Sequence, residues 1–287
     1  MVERKLIFRL DQVGYRYPDG VTALEDVSLT VTAGDRIAVL GANGCGKSTL
    51  LRLLDALIFP TQGRIFGFDR ELTPAATSRG DFALQFRRRV GLVFQDPDVQ
   101  LFSPTVEDEI AFGPRQLGYP EDEVRERVAW ALDRLGLAPL RHRPPYRLSG
   151  GEKRKVAVAS VLCLDPEVLL LDEPTSGLDA RSQGALLDLI WELGAEGRTI
   201  IAATHDLSVV QEIADRAYVL SEDHRLLAEG PPDQILSDEA MLVKANLVHV
   251  HSHRHDGDRH SHLHSHRPPH IDSALPHDHP HQNEPEP

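Results

Sequence analysis

Two cysteines in 287 residues, Cys45 and Cys163, are too few for a disulfide framework, and nothing else implies an oxidising compartment. Long apolar runs are also missing. The uninterrupted ones, such as Val128–Leu132 and Val168–Leu171, fall far short of the ~18 residues a membrane-spanning helix needs. After Met1-Val-Glu-Arg-Lys5 only Leu6-Ile-Phe8 precedes the next charge, so no secretory signal is expected. Excess positive charge is absent too. A formal net charge of −13 with histidines neutral excludes a broad basic surface for nucleic acid and leaves room only for a local patch. No internal repeat is visible. What remains is ordinary globular composition, 41% hydrophobic and 26% charged, enough to build a core and to exclude a wholly disordered chain.

Histidine is unevenly spread: twelve of fifteen lie between His249 and His281. From His249 onward five aliphatic residues and six prolines share 39 positions. Burial of so few apolar groups does not offset the entropy of ordering them, so 249–287 is expected to be a disordered tail on a folded body, residues 1–248. Within the body, short apolar runs alternate with helix-period segments. Arg36–Gly41, Val90–Gln95, Val168–Glu173, Thr199–His205 and Ala217–Ser221 read as strands. Lys47–Leu57, Glu121–Leu135, Gly150–Leu164, Arg181–Leu193 and Leu207–Ala214 read as helices. This alternation predicts an α/β fold with a mostly parallel sheet. The first 35 residues and Gly63–Leu72 alternate apolar and polar instead, which suits an N-terminal antiparallel β subdomain.

Gly41-Ala42-Asn43-Gly44-Cys45-Gly46-Lys47-Ser48-Thr49 has the G-x-x-x-x-G-K-[ST] spacing between a predicted strand and a predicted helix. Glycines allow backbone N–H groups to turn inward against phosphate oxygens, and the helix N-terminus favours an anion. Lys47 would reach the β- and γ-phosphates and Ser48 would hold Mg²⁺. Val168–Leu171 ends in Asp172 and Glu173. Asp172 suits the Mg²⁺ shell, and Glu173 is placed to polarise an attacking water. Cys45 lies inside the loop, which predicts that thiol alkylation abolishes ATP binding and that ATP protects. Together these residues predict nucleotide hydrolysis, in which positioning and charge stabilisation do most of the catalysis.

Leu148-Ser149-Gly150-Gly151-Glu152-Lys153, opening a predicted helix, resembles the signature motif of the ATP-binding cassette (ABC) ATPases. The same residues also fit a plain helix cap, Ser149 with Glu152 three residues on. The other family elements follow in order. Gln95 resembles the Q-loop glutamine that contacts Mg²⁺ and water, Ser176-Gly-Leu-Asp179 the D-loop, and His205 the switch histidine facing the γ-phosphate. Tyr17 resembles the aromatic that stacks on adenine, with Tyr15 the competing choice. Glu152 stands where many members have Gln. The resemblance covers about residues 5–245. It implies a P-loop ABC core with an α-helical signature subdomain, about 97–165, and a homodimer or heterodimer with a related ATPase. Each composite site would take its phosphate loop from one subunit and Ser149, Gly150, Gly151, Glu152 and Asp179 from the other. Glu173 would be the general base, with Lys47, His205 and Gln95 completing the catalytic set.

Gln95-Asp-Pro-Asp-Val-Gln100-Leu-Phe102, Tyr15–Gly20 and Glu107–Gly113 resemble the energy-coupling-factor branch. That implies a peripheral position on the cytoplasmic face of the membrane, with a membrane scaffold subunit and a substrate-capture subunit as partners and no nucleic acid. The tail sets His249, His251, His253 and His255, then His260, His262, His264 and His266, at every second residue. Imidazole suits Ni²⁺, Co²⁺, Cu²⁺ and Zn²⁺. The combined expectation is the ATPase of a nickel or cobalt importer whose cofactors are ATP and Mg²⁺, with Ni²⁺ or Co²⁺ held on the tail. Two rivals stand beside it: the ATPase of a vitamin importer with an incidental solubilising tail, and a metal-binding or storage protein with a regulatory cassette.

Overall fold

The computed structural model describes residues 4–255 and 258–265, with side chains described as far as Val248. Two long strands, β1 (Leu6–Arg16) and β2 (Thr22–Thr32), come first. Next are β3 (Arg36–Leu40), α1 (Lys47–Leu54), β4 (Gln62–Gly67) and β5 (Arg70–Glu71). Two helices, α2 (Pro74–Ser78) and α3 (Asp81–Arg89), lead into β6 (Val90–Val93). The helices α4 (Val106–Gln116), α5 (Glu121–Arg134) and α6 (Gly150–Leu162) then run almost in succession. Strict alternation returns with β7 (Val168–Asp172), α7 (Ala180–Ala195), β8 (Thr199–Thr204), α8 (Val210–Ile213), β9 (Arg216–Leu220) and β10 (Leu226–Gly230). After them come α9 (Pro232–Ser237), α10 (Glu239–Lys244) and the hairpin strands β11 (Val248–His255) and β12 (Asp258–Ser265).

The main sheet has the order β10-β9-β3-β8-β7-β6, parallel throughout except for β10 on β9. Its inner strands carry runs of apolar residues through their middles because both faces are covered, with polar residues such as Arg36, Asp172, Thr199 and Thr204 at their ends. On one face Ala38, Leu40, Leu169, Leu171, Ile200 and Ala202 pack on α6, α7 and α8. On the other face Ile37, Val39, Val168, Leu170, Ile201 and Ala203 pack on α1 and on the apolar sides of β1 and β2. The second sheet, β2-β1-β4-β5, is antiparallel, in line with the alternation in its sequence. Gly63 is required there: a Cβ would sit 2.2 Å from the Gln12 carbonyl oxygen, and φ is +73°.

A third core, built from Val106, Ile110, Val124, Val128, Leu132, Val156 and Ala159, joins α4, α5 and α6. The helix α6 belongs to two cores at once, giving Val156, Ala159 and Cys163 to this arm and Ala157, Val158, Val161 and Leu162 to the sheet.

Some boundaries differ from the sequence reading. The helix α1 stops at Leu54 rather than Leu57, because Ala56 turns left-handed at φ 53° and Leu57 N–H donates back to the Arg52 carbonyl, a common helix ending. The expected helix 207–214 begins as a 3₁₀ turn over Leu207–Val209, capped by Asp206, before α8. Over the first part of the stretch from His249, the described residues pair as the antiparallel hairpin β11–β12, and the every-second-residue pattern there is the period of a strand. The remainder of the tail, including His266, lies outside the described residues.

Candidate active site

The phosphate loop, the acidic pair and His205 all follow the C-terminal ends of strands that are neighbours in the sheet, β3, β7 and β8. This is where open parallel sheets gather ligands. The loop 41–46 is fixed by packing as well as by the turn it makes. A Cβ on Gly46, the N-cap of α1 at φ 110°, would lie 2.2 Å from the Ala23 carbonyl oxygen, and one on Gly41 would lie 2.4 Å from Cys45 Sγ. Gly46 supplies no side-chain cap, so the first-turn N–H groups of α1 are left for an anion.

Lys47 is 6% exposed. Its Nζ donates to the carbonyls of Gly41 (2.8 Å) and Ala42 (3.1 Å) and lies 3.4 Å from Glu173 Oε1. Ser48 Oγ donates to Asp172 Oδ1 at 3.0 Å. Burial pushes the Asp172 carboxyl up, and the Ser48 hydrogen bond pulls it partly back. Glu173 is buried with the left-handed φ of 45°, a strained conformation that the fold must over-determine. Its N–H donates to Ala203 O (2.9 Å), Thr204 Oγ1 donates to Oε2 (3.3 Å), and His205 Nδ1 lies 2.9 Å from Oε1. An ionised carboxylate only accepts, so the proton of this last bond belongs to Nδ1.

The residues present fit Mg²⁺ and a nucleoside triphosphate. A buried ammonium has only loop carbonyls and one carboxylate for partners, and Gly41 and Gly46 hold the loop in a conformation closed to any side chain. The hydroxyl–carboxylate pair Ser48–Asp172 supplies the hard oxygen donors Mg²⁺ prefers. Of the two tyrosines, Tyr17 reaches the loop, with its hydroxyl 3.0 Å from Thr49 Oγ1. Tyr15 packs edge-on against Tyr17 (4.9 Å between centroids) and onto the apolar core. Cys45 is 2% exposed, and burial raises its thiol. A buried, protonated thiol is a poor nucleophile, so any alkylation of Cys45 in the folded protein is slow.

The other predicted residues lie along a different edge. Ser149 and Glu152 make a complete capping box: Ser149 N–H and Oγ donate to Glu152 Oε2 (2.7 and 2.9 Å), and Glu152 N–H donates to Ser149 Oγ (3.3 Å). These bonds hold the Glu152 carboxyl below its usual range. Asp179 caps α7 by accepting from Ser182 N–H at 2.8 Å. Gln95, Gly150 and Ser176 line one open cleft of about 290 Å³ with Arg154.

Two further residues that escaped the sequence reading hold these sites in place. Arg154 is 4% exposed and donates to the carbonyls of Phe94 and Gln95. It hid in the run Lys153-Arg-Lys155. Thr204, fully buried beside Glu173, reads in sequence only as a strand residue. Gln100, seen in sequence as part of the Q-loop pattern, ties that loop to α6. Its amide donates to Ala157 O (2.9 Å) and Ser160 Oγ (3.1 Å), and its Oε1 accepts from Phe94 N–H (3.2 Å).

The family model for ABC transporters matches residues 24–176. The chain belongs to the ABC transporter family. The nickel import ATP-binding protein NikO of Rhodobacter capsulatus is 53% identical over 84% of this chain and 95% of its own. Among solved structures, cbiO1 of Clostridium perfringens, described as part of the ABC transporter complex cbiONQ, aligns with TM-score 0.71 and 37% identity over 85% of this chain and 95% of that one. A dimeric post-hydrolysis cassette bound to ADP and Pi, MJ0796, aligns with TM-score 0.70 and 25% identity over 79% of this chain and 99% of that one. This ABC protein is an ATP-hydrolysing cassette that binds ATP and Mg²⁺. Among its described residues no helix is long and apolar enough to cross a membrane.

Proposed function

We propose that this cassette powers uptake of a divalent transition-metal ion, nickel or cobalt, from the cytoplasmic face of a membrane complex. The observation that carries this reading is the extent of the likeness to a nickel import ATPase, which runs over nearly the whole of that relative. The alternating histidines of 249–266 add to it, since imidazole is a ligand for these ions. Two copies, or one copy and a related ATPase, sandwich two nucleotides, as the dimeric cassette MJ0796 suggests. A membrane scaffold subunit takes up the motion at the Q-loop, and a separate capture subunit selects the cargo.

In this mechanism Tyr17 stacks on the base. Lys47 and the loop amides would hold the β- and γ-phosphates, and Ser48 and Asp172, with Gln95 from the Q-loop, would hold Mg²⁺, which when bound would neutralise developing phosphate charge. The Lys47 ammonium lies beside Glu173, and a γ-phosphate binding Lys47 leaves Glu173 to accept a proton from the attacking water. His205, donating from Nδ1 to Glu173, fixes the orientation of that carboxylate. Ser149, Gly150 and Gly151 of the partner copy close the chamber over the γ-phosphate. Uptake of labelled Ni²⁺, Co²⁺ and vitamins by the complex purified with its membrane partners tests the cargo. ATP-dependent accumulation of Ni²⁺ or Co²⁺ is expected, and accumulation of a vitamin alone would overturn it.

A further inference from the structure

In the C-terminal hairpin β11 and β12 pair in continuous register, without a bulge. His249 lies opposite His264, His251 opposite His262, His253 opposite His260, and His255 opposite Asp258. Side chains alternate between the faces of a strand, and directly opposed residues share a face. One face therefore collects all seven histidines and Asp258. The other collects Val250 with Leu263, Ser252 with Ser261, and Arg254 with Arg259. The base of the hairpin is anchored, because Leu247 and Val248 are buried in the main core. The histidines thus grow out of the folded body at a set place.

We infer that this face is a binding site for a divalent late first-row ion, in which opposed histidines act as pairs, the rungs of a ladder. Opposed positions lie ~4.5–5.5 Å apart, and successive rungs on one face about 7 Å apart. Two neighbouring rungs supply four neutral imidazoles, the donor set that nickel, cobalt, copper and zinc accept. The central rung, His251 with His262, belongs to both four-histidine combinations. This inference rests on the reading of the tail as metal-binding. It specifies pairing by register, whereas a flexible chain wrapping an ion would depend only on the number of histidines.

The test uses the full-length protein, stripped of metal, competing with a chromophoric chelator for Ni²⁺ at neutral pH. Three variants separate register from number. His251→Ala with His262→Ala removes the central rung. His277→Ala with His279→Ala removes two histidines beyond the hairpin. His251→Ser with Ser252→His keeps the composition and moves one imidazole to the opposite face. The rung deletion and the swap are expected to weaken the tightest Ni²⁺ site by about tenfold or more, and the outer pair by less than about twofold. Equal losses in the two alanine pairs, or an unchanged swap, would overturn the ladder in favour of binding by number. ATP turnover without added metal should be unchanged in all three, which reports on folding. If transport assays find no Ni²⁺ or Co²⁺ uptake while the swap still weakens Ni²⁺ binding, the cargo reading fails and the ladder stands.

Discussion

The two sets of residues that the family's chemistry requires sit in opposite physical conditions. At the ends of β3, β7 and β8, Lys47, Asp172 and Glu173 are each no more than 6% exposed and are bonded to one another and to the loop backbone. Along the signature edge Ser149, Gly150 and Asp179 are exposed, and among the described residues Ser149 and Asp179 cap α6 and α7. The first set is preorganised by the fold it is buried in. The second stands at the surface, open to whatever covers it. One chain thus carries a finished half and an open half, the division of labour expected if two copies build each reaction chamber.

The sharpest way to break this contrast is at Glu173. The substitution Glu173→Gln should slow steady-state hydrolysis by about 10²–10³-fold while leaving ATP bound and the dimer persistent on size exclusion. Turnover at the wild-type rate would remove Glu173 from the chemistry. Complementation addresses the pairing itself. Lys47→Ala and Ser149→Arg should each abolish hydrolysis, and mixing the two proteins should restore part of it, because a mixed dimer contains one intact chamber. No recovery on mixing would mean that each chain works alone. The same small substitution placed in each half should then separate them by stability. Gly46→Ala meets the Ala23 carbonyl at 2.2 Å with φ 110° and should cost about 2–5 kcal/mol. Gly150→Ala meets nothing within 4 Å and should stay within about 0.5 kcal/mol. Chemical denaturation of both variants measures the difference.

Two smaller effects sharpen the picture. Cys45, buried with a raised thiol, should react with an alkylating reagent far more slowly than a free cysteine until the protein is unfolded. Rapid modification of the native protein would show that the loop opens. Glu152 is held below its usual carboxyl range by Ser149. A depressed folded-state value stabilises above the unfolded value and is lost as pH falls through the folded one. Thermal melts from neutral pH down to about pH 3 should therefore show a small acid-side loss that Glu152→Gln flattens.

Much of this was legible because local chemistry and tertiary position coincide. The phosphate loop could be read from spacing because only glycine tolerates Gly46's approach to Ala23. The parallel strands could be read because two covered faces leave a run of apolar residues in each. Arg154 and Thr204 were illegible for the opposite reason, since their importance lies in partners distant in sequence: the Phe94 and Gln95 carbonyls in one case, Glu173 in the other. The early end of α1 was hidden because Ala56 is no usual left-handed residue.

The helix α6 has no solvent-facing slack between its two cores, and Gln100 and Arg154 fasten the Q-loop to it. Such a part cannot slip against either neighbour. A pull on the loop by a membrane partner must arrive at Ser149 as displacement rather than dissipate in the arm, so the machine has a drive shaft where a looser fold would have a clutch.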